Sequence, residues 1–119
     1  MTQQSHEFRG YQLDDRYKLN TGRVFLTGTQ ALARVMLDQA RRDREAGLNT
    51  AGFVSGYRGS PLGGVDLEFW RSKDRMKDNN IPFMPAVNED LGATAVLGAQ
   101  QAILDPHCEV EGVISMWYG

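Results

Sequence analysis

The stretch TAGFVSGYRGSPLGGVD at residues 50–66 decides the fold. It begins with a short apolar run, residues 50–55, that is typical of a β-strand, and continues into a glycine-rich loop over residues 56–64. A helix is expected to follow over residues 65–78. A strand, a loop and a helix in this order predict one unit of a parallel sheet covered by helices. The side chains expected to face inward from this helix are Leu67, Trp70 and Met76.

The residues before this stretch predict an arm and a first strand–helix unit. Residues 1–22 mix polar and aromatic side chains without an apolar period, so we expect an irregular arm that lies on some surface. Residues 23–27 (RVFLT) predict a strand, and Thr29 is expected to cap a helix that Gly47 ends. Residues 23–119 are the expected α/β domain.

The residues after it predict two further strands and one helix. Residues 82–87 favour a weak strand, because two prolines interrupt the run. Asn88 is expected to cap a helix over residues 89–104, which is rich in glycine and alanine, so another element should pack very close to it. Residues 112–116 predict the last strand. The alternation predicts an α/β fold with a parallel sheet flanked by helices.

Composition narrows the class of function. The chain has 119 residues and a net charge of -2, so it offers no basic field that would favour nucleic acid or an anionic membrane surface. No apolar run is long enough to span a bilayer, and we expect a cytoplasmic location. Cys108 is the single cysteine, which excludes an internal disulfide and a cysteine cage within this chain. His6 and His107 lack partners at ligand spacing, so no metal site is predicted.

The glycine-rich loop is the strongest candidate for a binding site on physical grounds. Ligands of parallel sheets bind beyond the carboxyl ends of the strands. The loop offers glycines that let its backbone approach a ligand, a hydroxyl at Ser60 and a helix N-terminus just beyond, a combination that favours an anion or a carboxylate. Its spacing matches neither the dinucleotide fingerprint nor a P-loop. A tight strand-to-helix turn without a ligand is the alternative interpretation.

Three stretches resemble one enzyme family. GRVFLTGTQALAR (22–34), AGFVSGYRGSPLGGVD (51–66) and NEDLGATAVLGAQQA (88–102) are similar to the N-terminal pyrimidine-binding domain of thiamine-diphosphate-dependent 2-oxoacid:ferredoxin oxidoreductases. The long, fused indolepyruvate ferredoxin oxidoreductases resemble the chain most, over residues 11–119. The resemblance implies an incomplete thiamine-diphosphate-binding fold, in a chain that looks like an N-terminal fragment of a larger enzyme.

The resemblance also implies a reaction, cofactors and partners. Such enzymes decarboxylate an aryl 2-oxo acid, join the acyl group to coenzyme A and pass electrons through iron–sulfur clusters to ferredoxin. The thiamine diphosphate and its Mg²⁺ are shared with a second domain that carries a GDG…N motif, which does not occur here. The expected partners are the remaining domains, ferredoxin, the 2-oxo acid, coenzyme A and a second copy in a homo-oligomer. The fragment alone is expected to be inactive.

Glu89 is the catalytic residue that the resemblance implies. It falls where the family places the carboxylic acid that hydrogen-bonds the aminopyrimidine ring of the cofactor. Its position after a strand, at the start of a helix of small residues, suits the approach of a flat ring. The alternative is a first-turn carboxylate that complements the helix dipole, a role also expected of Asp66.

The loop residues are assigned to the substrate and cofactor by the same resemblance. Ser60 and Pro61 fall where related enzymes carry Thr-Pro near the substrate carboxylate, so Ser60 is expected to donate a hydrogen bond to it. Arg58 replaces a proline of the family pattern, which leaves its role open between a ligand contact and a solvent-exposed residue. Tyr57 is expected either to line the aryl pocket or to cover the sheet. Gly59 and Pro61 are assigned to cofactor binding.

A noncatalytic function stays open beside the enzyme hypothesis. The glycine-rich loop and the small-residue helix are also typical of an α/β module that docks against another subunit. The two functions share one requirement, because a thiamine site forms at an interface between domains.

Overall fold

Two parallel strands, β1 (Thr50–Gly56) and β2 (Gly112–Tyr118), form the sheet in the computed structural model, which describes residues 10–119. They pair from Thr50 opposite Gly112 to Gly56 opposite Tyr118. Helices accompany the sheet, so the α/β expectation is confirmed at that level. His6 and the rest of residues 1–9 of the expected arm lie outside the described residues.

The helices begin and end at local signals. They are α1 (Asp15–Lys18), α2 (Gly28–Glu45), α3 (Val65–Arg71), α4 (Lys73–Asp78) and α5 (Glu89–Gln101), followed by a 3₁₀ turn over Ala102–Leu104. Asn88 caps α5 as expected, because its side chain accepts the Leu91 N–H at 2.8 Å. Gly47, with φ 78°, follows the end of α2. Within the described part of the chain, no helix has the length and apolar character that crossing a membrane requires.

The prediction of a strand over residues 23–27 is wrong. This segment is extended but pairs with no strand among the described residues, and Phe25 is 74% exposed. The Phe25 backbone N–H donates instead to the Tyr11 hydroxyl at 3.0 Å. Thr27 caps α2 in place of Thr29, since it forms a capping box with Gln30. The apolar run therefore leads into a helix rather than into the sheet.

The weak strand expected over residues 82–87 forms only two isolated bridges beside β1. Val54 pairs with Phe83 and Tyr57 with Ala86, both in parallel. The Val54 N–H donates to the Pro82 carbonyl at 3.0 Å. Pro82 has no backbone N–H to donate to β1, so the ladder is interrupted there, although Met84 and Ala86 donate to Val54 and Gly56.

The helix expected over residues 65–78 is two helices that meet at Ser72, whose φ and ψ are -100° and 9°. Met76 is buried as expected, but Leu67 and Trp70 are 50% and 39% exposed, so their inward placement is wrong. The residues that face inward lie at a spacing of three and four along the chain. They are Val65, Phe69, Ser72 and Met76, and the carboxylates Asp66 and Glu68 are buried as well.

The two faces of the sheet are covered by different helices. One face packs with α2 and α3 around a core that includes Met36, Val54 and Phe69. The other face packs against α5, where Gln100 donates to the Val113 carbonyl and to the Ser115 hydroxyl. Because successive side chains of a strand alternate between faces, β2 serves both layers.

α5 and β1 come close together at Gly92 and Gly56. A Cβ atom added to Gly92 would stand 3.3 Å from the Gly56 Cα. A Cβ atom on Gly56 would stand 2.3 Å from the Tyr118 carbonyl oxygen and 2.5 Å from its ring. The close packing expected of α5 is therefore confirmed at Gly92, and β1 is the element that packs there.

Gly56→Ala should destabilise the chain by about 1–3 kcal/mol, because the added methyl group meets backbone and a buried ring that cannot move freely. Urea unfolding followed by far-UV circular dichroism measures the change. Gly98→Ala is the matched control, since nothing lies within 4 Å of a Cβ there and alanine should stabilise the helix by roughly 0.5–1 kcal/mol. Equal effects of the two variants would contradict this packing.

Candidate functional site

The glycine-rich loop and the start of α5 lie at the same edge of the sheet. Both strands end there, at Gly56 and Tyr118, and residues 57–64 leave from it. The Trp117 indole N–H donates to the Glu89 carbonyl at 3.1 Å, which holds the first turn of α5 beside the end of β2. We call this region the carboxyl edge.

The loop folds back on itself as a tight turn. The Ser60 N–H donates to the Tyr57 carbonyl at 3.0 Å. The Tyr57 ring lies over Gly59, where a Cβ atom would stand 2.6 Å from the ring. A side chain at residue 59 would have to displace the Tyr57 ring, and Tyr57 and Gly59 therefore form one surface. Pro61 follows on the exposed side of the turn.

Ser60 is buried beneath this turn, with 7% of its surface exposed. Its hydroxyl oxygen is inaccessible to solvent and has no hydrogen-bond partner among the described residues. The Ser55 hydroxyl, near the end of β1, is in the same state. Buried hydroxyl groups are usually paired, so these two mark the carboxyl edge as incomplete.

Asp66 joins the loop to the end of β2. One carboxylate oxygen accepts the Arg58 Nε–H at 3.0 Å, and the other accepts the Tyr118 hydroxyl at 3.1 Å. Asp66 itself is buried, whereas the Arg58 side chain is 71% exposed. Burial first, and then the charge of Asp66, raise the pKa of Tyr118 above its usual value.

Sequence reasoning missed this role of Asp66, which it treated as a first-turn residue that complements the helix. It also left Arg58 between a ligand and solvent, and the structure shows an ion pair with Asp66. The opposite charges of the two residues were visible in the sequence. The third partner, Tyr118, lies 52 residues further on and comes close only through the pairing of β1 with β2.

Glu89 is half-buried in the first turn of α5. Within residues 10–119, no hydrogen bond or ion pair engages its carboxylate, although its Cγ lies 3.2 Å from the position of a Cβ on Gly119. A carboxylate that is half-buried and unpaired at the end of a sheet is available to accept hydrogen bonds from a ligand.

Metal ligands are not grouped in the described part of the chain. No cluster of three or more His, Cys, Asp or Glu side chains there could hold a metal ion. The Cys108 thiol contacts only the nearby Val110 carbonyl, at 3.4 Å, and His107 is exposed on the turn before it. The carboxyl edge therefore offers a hydroxyl and a carboxylate rather than a metal centre.

We compared the chain with known proteins and found no relative. No family model, no curated protein and no solved structure matches this chain. Function is therefore inferred from the sequence and from the geometry of the carboxyl edge.

Tyr118→Phe should lower the free energy of unfolding at pH 7 by about 1–2 kcal/mol, because it removes a hydrogen bond to a charged, buried partner. The raised pKa of Tyr118 stabilises the folded state fully below the unfolded value of 10 and loses this effect as the pH rises above it. The difference between wild type and variant should therefore shrink at pH 11.

Urea unfolding at both pH values measures this. Both chains keep Tyr17, whose pKa burial and Glu68 raise to about 12, so its titration cancels in the comparison. A difference that is the same at pH 7 and pH 11 would show that burial and Asp66 do not raise the pKa of Tyr118.

Proposed function

We propose that this chain supplies the pyrimidine-binding half of a thiamine diphosphate site, within a thiamine-diphosphate-binding fold. The enzyme would be an oxidoreductase of the indolepyruvate ferredoxin type, which converts an aryl 2-oxo acid to an acyl-coenzyme A. One observation carries the proposal: the unpaired Glu89 carboxylate and the unpaired Ser60 hydroxyl lie at the same carboxyl edge. The sequence resemblance is the second support.

Glu89 is proposed as the catalytic residue and as a cofactor ligand. Its carboxylate has no competing partner within the described residues, and Gly92, one turn later, keeps the inner face of α5 free of bulk. An acid in this position can hydrogen-bond a ring nitrogen of the aminopyrimidine and exchange a proton with it. When bound, thiamine diphosphate supplies the nucleophilic carbon for decarboxylation.

Ser60 is proposed to donate a hydrogen bond to the carboxylate of the 2-oxo acid. Leaving a buried hydroxyl without a partner costs free energy, and a ligand oxygen that reaches it when the turn above it moves would remove that cost. Hydrogen bonds to a charged group are stronger than those between neutral groups, so a carboxylate is the better partner. Gly59 and Pro61 are proposed to contact the cofactor, since both are exposed on this turn.

Arg58 and Tyr57 are proposed to face the substrate from the same loop. Asp66 engages Arg58 through Nε at 3.0 Å, which fixes the side chain, while most of that side chain is exposed at the carboxyl edge. A guanidinium held in this way can attract an acid substrate without being free to swing away. Tyr57 offers an aromatic surface for the aryl group.

The rest of the reaction is assigned to other domains. The Mg²⁺, the diphosphate, the iron–sulfur clusters and the sites for coenzyme A and ferredoxin belong, in this proposal, to the remaining parts of a cytoplasmic homo-oligomeric enzyme. The residues proposed here for the pyrimidine ring and the 2-oxo acid are Glu89 and those of the glycine-rich loop.

The second candidate is a noncatalytic module that docks against another subunit. It is favoured by the large apolar side chains that α5 and the following turn leave exposed, among them Leu91, Leu97 and Leu104. Exposed apolar patches mark interaction surfaces. The same side chains suit the enzyme proposal, because a thiamine site lies between two domains.

In the enzyme that contains this chain, Glu89→Gln should lower turnover of the 2-oxo acid by roughly two to four decades, the usual reach of acid–base assistance. Glutamine keeps the size of the side chain and its hydrogen-bonding capacity but cannot exchange the proton. Steady-state kinetics and proton exchange at the reactive carbon of the cofactor, followed by NMR, measure the loss.

Asp90→Asn is the matched control, since Asp90 is exposed in the same helical turn and loses the same charge. If Glu89 only complements the helix dipole, the two variants should behave alike, each with a stability loss of roughly 0.3–1 kcal/mol and near-normal turnover. Turnover of Glu89→Gln within threefold of wild type would contradict the catalytic assignment.

A further inference from the structure

A small cavity of about 170 Å³ lies between α2, α4 and the segment around α1. It shares no lining residue with the glycine-rich loop or with α5, so the proposed function does not account for it. Arginine and amide side chains dominate its wall. The polar residues on which its chemistry depends are Arg41, Arg44 and Arg75, with Asn20 and Asn79 beside them. We call it the arginine pocket.

The side chains that line the arginine pocket carry more positive than negative charge. Three guanidinium groups line it, and Asp38 is the single carboxylate in its lining. Asp38 is shared, because it accepts the Arg34 Nε–H at 3.2 Å and lies 3.9 Å from Arg41. Because Asp38 already interacts with Arg34 and Arg41, its single negative charge cannot also neutralise the other guanidinium groups of the pocket.

Arg44 carries the charge that is least compensated. Its Nη1 donates to the Asn79 side-chain oxygen at 2.9 Å, which is a neutral partner. It forms no ion pair with a carboxylate among residues 10–119. Arg75, by contrast, pairs with Asp14 at 2.9 Å.

Arg41 adds an unused hydrogen-bond donor. Its Nη1 bonds Glu45 at 2.9 Å, but its Nε is buried and has no acceptor within the described part of the chain. Arginine nitrogens donate only, so this group can be satisfied by an acceptor and by nothing else. Burying a charged donor without an acceptor costs free energy, and an oxyanion would remove the cost.

We propose that the arginine pocket binds the phosphate group of a small ligand. Guanidinium groups recognise tetrahedral oxyanions by paired, charge-assisted hydrogen bonds. The volume corresponds to about five or six water molecules and lies below the roughly 300 Å³ at which pockets for larger organic ligands begin. The pocket therefore takes a single phosphate group, either as inorganic phosphate or as one end of a phosphate ester.

Inorganic phosphate and glycerol 3-phosphate are the probes that separate these two sources. Each is titrated into the 119-residue chain by isothermal calorimetry, with sodium chloride added to keep the ionic strength constant. Saturable binding of one of them is expected, and the ester should bind more tightly if the pocket reads a ligand beyond its phosphate. Arg44→Gln should weaken binding roughly tenfold or more, because it removes the least compensated charge.

Arg42→Gln is the matched control. Arg42 lies on the same helix, is exposed like Arg44, and the variant loses the same charge, but its side chain does not line the pocket. Its dissociation constant should stay within about twofold of wild type. An equal loss in both variants would overturn the proposal, since it would mean that the net charge alone attracts the anion. Failure of both probes to bind saturably would overturn it as well.

A measurement on the wild-type chain covers the case in which Arg44→Gln does not fold. Phosphate should shift the NMR signals of the Arg41 and Arg44 Nε–H groups and leave that of Arg42 unchanged. Shifts spread over all arginines, or confined to those outside the pocket, would overturn the proposal without any variant.

Discussion

The rest of the structure depends on a close contact at Gly56, the last residue of β1. A Cβ atom on Gly92 of α5 would stand 3.3 Å from the Gly56 Cα, and the Tyr118 ring and carbonyl group leave no room for a Cβ atom on Gly56 itself. Because α5 packs this close to β1, its first turn lies at the carboxyl edge, and Glu89 lies there with it. Because Tyr118 lies against Gly56, its hydroxyl reaches Asp66, which in turn fixes Arg58.

The carboxyl edge combines satisfied and unsatisfied polar groups, and the division has a functional meaning. Asp66 is buried with two partners, so it stabilises the loop. Ser60 and Glu89 have none within the described residues. A folded chain normally pairs its buried polar groups, and an exception points to a ligand or to strain. The proposed thiamine site assigns one ligand atom to Ser60 and one to Glu89, and it assigns none to the Ser55 hydroxyl, which is also unpaired.

The parts of the fold that follow from local signals were predictable from the sequence. The β1 run, the Asn88 cap and the glycine after α2 each depend on residues within one turn of one another. The run at residues 23–27 misled, because an apolar, β-rich composition does not reveal whether a partner strand is available. Here the arm residue Tyr11 bonds it and Thr27 is needed as a helix cap.

The sequence could likewise predict one part of the candidate site and not another. The loop and Glu89 could be placed at one edge from the order of strands and helices, since carboxyl ends of parallel strands meet there. The tie from Asp66 to Tyr118 could not, because it joins residues 52 positions apart through packing. The arginine pocket was equally hidden, as it gathers side chains from three segments of the chain.

The central claim is that the carboxyl edge accepts an aminopyrimidine ring beside Glu89. An NMR titration of the isotopically labelled 119-residue chain with 4-amino-2-methylpyrimidine tests it most directly. This small ligand carries the ring of the cofactor without the diphosphate, which other domains would bind. We expect binding with a dissociation constant in the roughly millimolar range, typical of a small fragment, and shifts at the Glu89 amide and the Trp117 indole. The shifts should vanish in Glu89→Gln. Unchanged signals at both groups up to the solubility limit, or the same shifts in the variant, would contradict the account.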